Sequence, residues 1–197
     1  MNRTQGDQVP GGPATTIRPS GCADLAALGA FFAGLSLHTR VKRFFAPVSP
    51  GPAMLRRLGG TAGQADVLVA VRGGVIIGHA MAVDQAVDEA VDQAVDQASP
   101  EAGLITDIGV VVADAWQGRG VGAALMRALV GRAQARGVTG VSMDVLPSNR
   151  AVLAMITSHW AAARTGRSAD SVTVSIQLLP QPNERQLAPA AAGHRAA

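Results

Sequence analysis

Between a β-rich run that ends at Val112 and an apolar segment that begins at Val121, the stretch "DAWQGRGVGAALM" (residues 114–126) spaces three glycines two apart around an arginine. Strand, glycine turn, then helix is a recipe for holding an anion. Missing β-carbons let a ligand approach the backbone, and the unsatisfied amides of a first helical turn point at negative oxygens. Arg119 and the helix dipole add charge of the same sign. A phosphate or pyrophosphate is the implied guest; the plainer alternative is a tight turn that serves only helix-to-sheet packing. Gly118, Gly120 and Ala123 also satisfy the dinucleotide pattern G-x-G-x-x-G/A, with Asp144 downstream. Against that reading, only about 50 residues follow Asp144, too few for a long βαβ series. No G-K-[ST] follows the glycines, so a nucleotide-hydrolase phosphate loop is excluded.

The surrounding pattern predicts a mixed sheet covered by helices. A short strand over Thr15–Arg18 is closed by Pro19, and Asp24 is an N-cap or first-turn acid for a helix carrying Leu25, Leu28, Phe32 and Leu35 at helical spacing. "LHTRVKRFF" and "PAMLRRLGG" follow as short helical stretches. Residues 66–83 read as a hairpin about Gly73 and Gly74. From Val83 to Ala98 runs a near-exact four-residue repeat, "VDQA", whose valines drift about 40° per repeat on a helix, which predicts a solvent-exposed loop insertion. Next come the strand "GLITDIGVVV", a helix stopped by Gly137, the strand "VTGVSMDVL", the helix "NRAVLAMITSHWAAA" and the strand "SVTVSIQLL". The expected organisation is a disordered leader (1–14), one domain (15–180) containing the insertion (83–98), and a disordered tail (181–197).

Composition narrows the chemistry. The chain has 197 residues and no Tyr, so no phenol serves as a general acid. Its single cysteine, Cys22, excludes an intrachain disulfide and any multi-cysteine metal site, and reads as a small buried apolar residue. No metal is expected. Neither a signal peptide nor an apolar run of membrane-spanning length is present, so a cytoplasmic protein without membrane partners is expected. Net charge is +3, and five of the 14 acids lie between Asp84 and Asp96. With aromatic and basic residues clustered in no more than the short stretch "RVKRFF", nucleic acid ranks last among partners.

The run "TDIGVVVADAWQGRGVGAALMRALVGRAQARGVTGVSMDVLPSNRAVLAMI" resembles the core of the GCN5-related N-acetyltransferases (GNAT). The family pattern Q/R-x-x-G-x-G/A, which binds the pyrophosphate of acetyl-coenzyme A, is met by Gln117, Gly120 and Gly122. "LSLHTRVKRFF", "LVAVRGGVIIGHA" and "VTVSIQLLP" look like the bacterial protein-lysine acetyltransferase branch that modifies acyl-coenzyme A synthetases. The resemblance implies an α/β fold with a central, mostly antiparallel sheet splayed at the cofactor site. It implies acetyl-CoA as co-substrate and direct transfer to a protein lysine in a ternary complex. A small-molecule amine as acceptor, or a non-catalytic coenzyme A-binding module, remain the alternatives.

Carried over by position, the resemblance gives the pyrophosphate to the turn of Gln117, Gly118, Arg119, Gly120, Val121 and Gly122. Val110, Val111 and Val112 become the strand end that pairs with pantetheine, and Asn149 the residue that reaches the cofactor, although Asn149 also fits as a helix N-cap. Asp107 stands where the lysine-acetylating branch often carries Glu, and would take a proton from the acceptor ammonium. Strand alternation sets it on one face with Gly109 and Val111. His79 is a core or edge histidine with a lesser claim to proton removal. His159 and Trp160 replace a family Gly-Phe pair, implying an altered helix end. Asp66 and Asp144 read as solvated strand charges. Arg40, Lys42, Arg43, Phe44 and Phe45 form a basic, aromatic patch that either lines an acceptor mouth, grips the cofactor's 3′-phosphate or simply ends an amphipathic helix.

Overall fold

Gly73 and Gly74, at φ 55° and 79°, turn the chain between strands β2 (Ala65–Arg72) and β3 (Val75–Ala86), a conformation that residues with a β-carbon rarely adopt. This hairpin is the centre of one half of a seven-stranded sheet in the computed structural model, which describes residues 14–61, 63, 65–86, 104–168 and 170–178. The other strands are β1 (Thr16–Pro19), β4 (Leu104–Val112), β5 (Val138–Val145), β6 (Arg164–Arg167) and β7 (Val172–Gln177), in the spatial order β1-β2-β3-β4-β5-β7-β6. All neighbours are antiparallel except β4 and β5. The expected mixed, mostly antiparallel sheet is therefore present, flanked by helices α1 (Leu25–Ala33), α2 (Leu37–Phe44), α3 (Pro52–Leu58), α4 (Val121–Ala135) and α5 (Arg150–His159).

Side-chain alternation divides the core between the two faces. Leu68, Ala70, Ala80, Ala82 and Ile108 pack against Leu125, Met126 and Leu129 of α4. Val69, Ile76 and Val111 pack against Leu28, Phe32 and Leu58 of α1 and α3. Each large buried side chain contributes roughly 1.5–3 kcal/mol, so α4 is held by its apolar stripe more than by helix propensity. A β-carbon at Gly78 would lie 2.9 Å from Leu125 Cδ1 and 3.2 Å from Val121 Cγ1, so glycine lets the N-terminal half of α4 sit directly on β3. At the other end of α4, Arg132 and Arg136 pair with Asp66 at 2.8 and 2.6 Å, and Arg136 pairs with Asp84 at 3.0 Å. Asp66 is thus an ion-paired anchor instead of a solvated strand charge. Asp144 remains exposed, accepting from Thr173 Oγ1 at 2.7 Å.

Several expectations are corrected. The first repeat unit, Val83–Ala86, is strand and not loop: it pairs with Leu104–Asp107, because Asp84 finds Arg136 and the sheet supplies a partner for the backbone. The rest of the repeat, residues 87–98, lies outside the described residues, as do the leader apart from Ala14 and the tail from 181 to 197. Strand β6 was not anticipated, since all four of its residues are exposed and carry no apolar alternation; it exists by pairing with β7. Cys22 is exposed in a 3-10 turn (Cys22–Asp24), and the polar Asp24 is the buried member, accepting from both Arg18 guanidinium nitrogens at 2.7 and 2.8 Å. Asp24 occupies the N-cap position of α1 but makes no cap bond with its side chain. Among the described residues no single helix is long and apolar enough to cross a membrane.

Candidate active site

The parallel pairing of β4 with β5 stops early. Leu104 to Asp107 pair with Val138 to Ser142, but the next five residues of β4, Ile108 to Val112, have no partner on that side among the described residues, while β3 follows β4 to its end. The sheet therefore opens between β4 and β5, and the strand edges facing the opening carry amides and carbonyls in want of polar partners.

At the wide end of this opening the chain turns into α4. Gly118 and Gly120 have φ 69° and 79°, and a β-carbon at either would meet nothing within 4 Å, so glycine is there for backbone conformation and not for lack of room. Gly122 lies in α4, where a β-carbon would make an ordinary 3.6 Å contact with Val112. The amide of Gln117 is used internally, donating to the Asp114 carbonyl at 3.3 Å. From Gly118 to Ala123, by contrast, no amide has an acceptor among the described residues. These consecutive donors, at the positive end of a fifteen-residue helix, fit a diphosphate. Gln117 contributes through its side chain instead, donating from Nε2 to the Val112 carbonyl at 3.0 Å and to Thr39 Oγ1 at 3.1 Å. The Arg119 guanidinium stacks on Trp116 at 5.1 Å, with Arg72 on the same ring at 5.0 Å.

The turn is clamped from afar. Asp114 accepts from the Ser36 amide at 2.9 Å, from Ser36 Oγ at 2.7 Å and from Thr39 Oγ1 at 2.7 Å, tying it to the first turn of α2. Desolvation pushes its carboxyl up, but these bonds outweigh it and hold the group down at about 2. Nothing local in the sequence marks Ser36 or Thr39 as partners, which lie more than seventy residues away.

Asp107 falls where β4 and β5 part. It shares a face with Gly109 and Val111, the face covered by α1 to α3, whereas Ile108, Val110 and Val112 face α4. The carboxyl and the turn amides are thus on opposite sides of the sheet, joined through the opening. Asp107 is exposed by area, yet the protein crowded about it desolvates the carboxyl and, with the nearby Asp144 charge, raises it above the ordinary value against the pull of Arg43 and the Ile108 amide. Arg43 of α2 lies across Gly109, occupying the volume a β-carbon would need. Beside it a cleft of about 520 Å³ is lined by Arg43, Phe44, Met54, Arg57, Leu58 and Met81.

The remaining candidates separate. Asn149 is the N-cap residue of α5, but its side chain makes no cap bond; its backbone amide donates to the Leu146 carbonyl at 2.8 Å and its carbonyl accepts from Val152 and Leu153. His79 is fully buried, edge-on to Phe32 at 5.3 Å, and donates from Nε2 to the Leu58 carbonyl at 2.7 Å. Burial pushes it down to about 4, so it is a neutral core histidine. His159 ends α5 on the surface, and Trp160 packs onto the core. Among the described residues no three His, Cys, Asp or Glu side chains are grouped to hold a metal.

Solved structures with this architecture include the GNAT domain of PAT from S. lividans, 24% identical over 84% of this chain and 91% of that one, with a TM-score of 0.69. Also similar are yncA of Salmonella typhimurium with its cofactor acetyl-CoA (20% identity, 90% and 99% covered, TM-score 0.60) and a ribosomal-protein-alanine N-acetyltransferase from Brucella melitensis (19%, 83% and 99%, 0.59). No curated protein sequence matches the chain. The profile of the acetyltransferase (GNAT) family matches residues 37–159, which run from the start of α2 to the end of α5 and include the opening, the turn and Asp114, and the chain belongs to that family.

Proposed function

We propose that the protein is an acetyl-CoA-dependent N-acetyltransferase whose acceptor is a protein lysine. The observation that carries this reading is the row of amides from Gly118 to Ala123, unpaired among the described residues, at the wide end of the β4 and β5 opening. A diphosphate on those amides leads a pantetheine arm along the free edge of Val110 to Val112, so that a thioester arrives beside Asp107. Acetyl-CoA supplies an acetyl group already activated as a thioester. Asp107 attracts the acceptor ammonium and takes its proton, directly or through one water, freeing the nitrogen lone pair to attack the carbonyl carbon. The nitrogen-carbon bond forms, the carbon-sulfur bond breaks, and the nitrogen's second proton passes to solvent, leaving a neutral amide. The sulfur leaves as a thiolate that solvent protonates, a step within reach without a Tyr because a thiol's pKa is only about 8.5. The Asn149 side chain, which makes no hydrogen bond among the described residues, is the group we assign to contact the cofactor arm.

Similarity to a ribosomal-protein-alanine N-acetyltransferase supports a protein acceptor, and the cleft beside Arg43 is open at the exposed Arg57. The volume of that cleft also suits a small amine, which is the second reading. Calorimetric titration with coenzyme A, followed by thiol release from acetyl-CoA with lysine peptides and with small amines, tests both. Uptake of coenzyme A and acceptor-dependent release are expected; no uptake overturns the proposal.

A further inference from the structure

The cleft beside Arg43 has, among the described residues, the wrong charge for a lysine-rich acceptor. Two of its lining residues are arginines, Arg43 from α2 and Arg57 from α3, and none of the described ones is acidic. Its other walls are apolar: Phe44, Met54, Leu58 and Met81. Arg43 is fixed there by the missing β-carbon of Gly109 and by the Phe44 ring, 5.2 Å from its guanidinium carbon. Its Nε is buried without a partner, and among the described residues Arg43 makes no hydrogen bond or ion pair. Asp107 lies two residues along the same strand face but not within ion-pair distance. A guanidinium stays charged at any working pH, and a desolvated charge without a counterion is costly to maintain. Burial depresses the guanidinium's pKa, in keeping with a cation that is short of a partner.

We propose that this cleft binds a carboxylate of the acceptor, with Arg43 and Arg57 as specificity-determining residues, while the acceptor's amine is drawn to Asp107. The proposal rests on the acetyltransferase reading above. It requires an acceptor in which amine and carboxylate are close: a lysine next to an acidic side chain in a protein, or a free amino acid. Charge is then complementary along the whole face, cation to Asp107 and anion to the arginines, and the low-dielectric walls strengthen the second contact.

The test uses the full chain, acetyl-CoA and acceptors in matched pairs: lysine peptides with a neighbouring Glu or Gln, and amino acids or their amides. In one pair or both, the carboxylate member is expected to have a kcat/KM about tenfold or more above its neutral partner, as charge-assisted hydrogen bonds allow. The peptide pair alone responding identifies a protein side chain as the source; the amino-acid pair alone, a small molecule. Arg43→Met and Arg57→Gln should each remove most of the advantage with coenzyme A affinity unchanged. Should Arg43→Met not fold, Arg57→Glu, on an exposed position, should reverse the preference. Equal rates within every pair, or an advantage that survives in the arginine variants, overturns the inference and leaves the acetyltransferase reading standing. Coenzyme A uptake without transfer to any acceptor also overturns it. No uptake removes the acetyltransferase reading itself, and the inference with it.

Discussion

The Asp114 carboxylate accepts hydrogen bonds from both the amide and the hydroxyl of Ser36, 78 residues earlier in the chain, and so fastens the anion-binding turn to helix α2. The same contact places α2, and hence Arg43, against the face of β4 that carries Asp107.

Replacing Asp114 by Asn should loosen this clamp. Its carboxyl is held below its unfolded value of 3.8, so its contribution is complete above that value and fades as the pH falls toward about 2. Because the group is well exposed, solvent screening limits the loss to about 1 kcal/mol at pH 7. Urea denaturation of both proteins should show that difference at pH 7 and a smaller one at pH 3. A gap independent of pH would contradict the assignment.

The glycines of the turn are not equivalent. Gly120→Ala forces a side chain into the left-handed region and should destabilise by about 1–2 kcal/mol, with weaker coenzyme A binding. Gly122→Ala adds a methyl group in ordinary contact with Val112 in the first turn of a helix and should leave stability unchanged or raise it by up to about 1 kcal/mol. Thermal melts of the two variants distinguish them, and equal losses would remove the conformational argument.

For Asp107→Asn, turnover should fall by about 10²–10⁴-fold with coenzyme A affinity nearly unchanged. The raised carboxyl must lose its proton to act, so wild-type activity should decline with falling pH on a limb above the ordinary carboxylate range, and the variant should lack that limb. A raised acid favours the folded state while protonated and loses that advantage as pH rises through its folded value. The Asn variant should therefore be no less stable than wild type at pH 7. Unaltered turnover would exclude Asp107 as the base.

His79 makes folding sensitive to mild acid. With its folded value near 4 against 6.5 unfolded, the neutral ring's contribution is complete above pH 6.5 and is lost progressively down to about pH 4. By pH 5 the loss should reach about 2 kcal/mol. His79→Leu removes this slope but leaves the Leu58 carbonyl without its donor, lowering stability at pH 7 by about 1–3 kcal/mol. Urea midpoints at pH 7 and 5 measure both effects, and a slope unchanged in the variant would point to another group.

Much of the architecture was legible before any coordinates. Gly73 and Gly74 marked their hairpin, Gly137 the end of α4, and alternation set Asp107 with Gly109 and Val111. Strand β6 was hidden because its four residues are all exposed and its pairing is decided by β7. The first "VDQA" unit looked like part of a loop because its acid is accommodated by Arg136, a residue of another element.

What the chain's order alone determined is local: which segments are strand or helix, and that Gly118 and Gly120 bend a turn whose amides have no helical partners, because φ preference and periodicity act over a few residues. Only the tertiary structure decided that β5 leaves β4 after Asp107, that Asp114 is secured by Ser36 and Thr39, and that Arg43 lies across Gly109 beside an open cleft, unpaired among the described residues. Those relations join elements that are distant in sequence. Burial and charge act between whatever surfaces packing brings together, and no spacing along the chain records which surfaces those are.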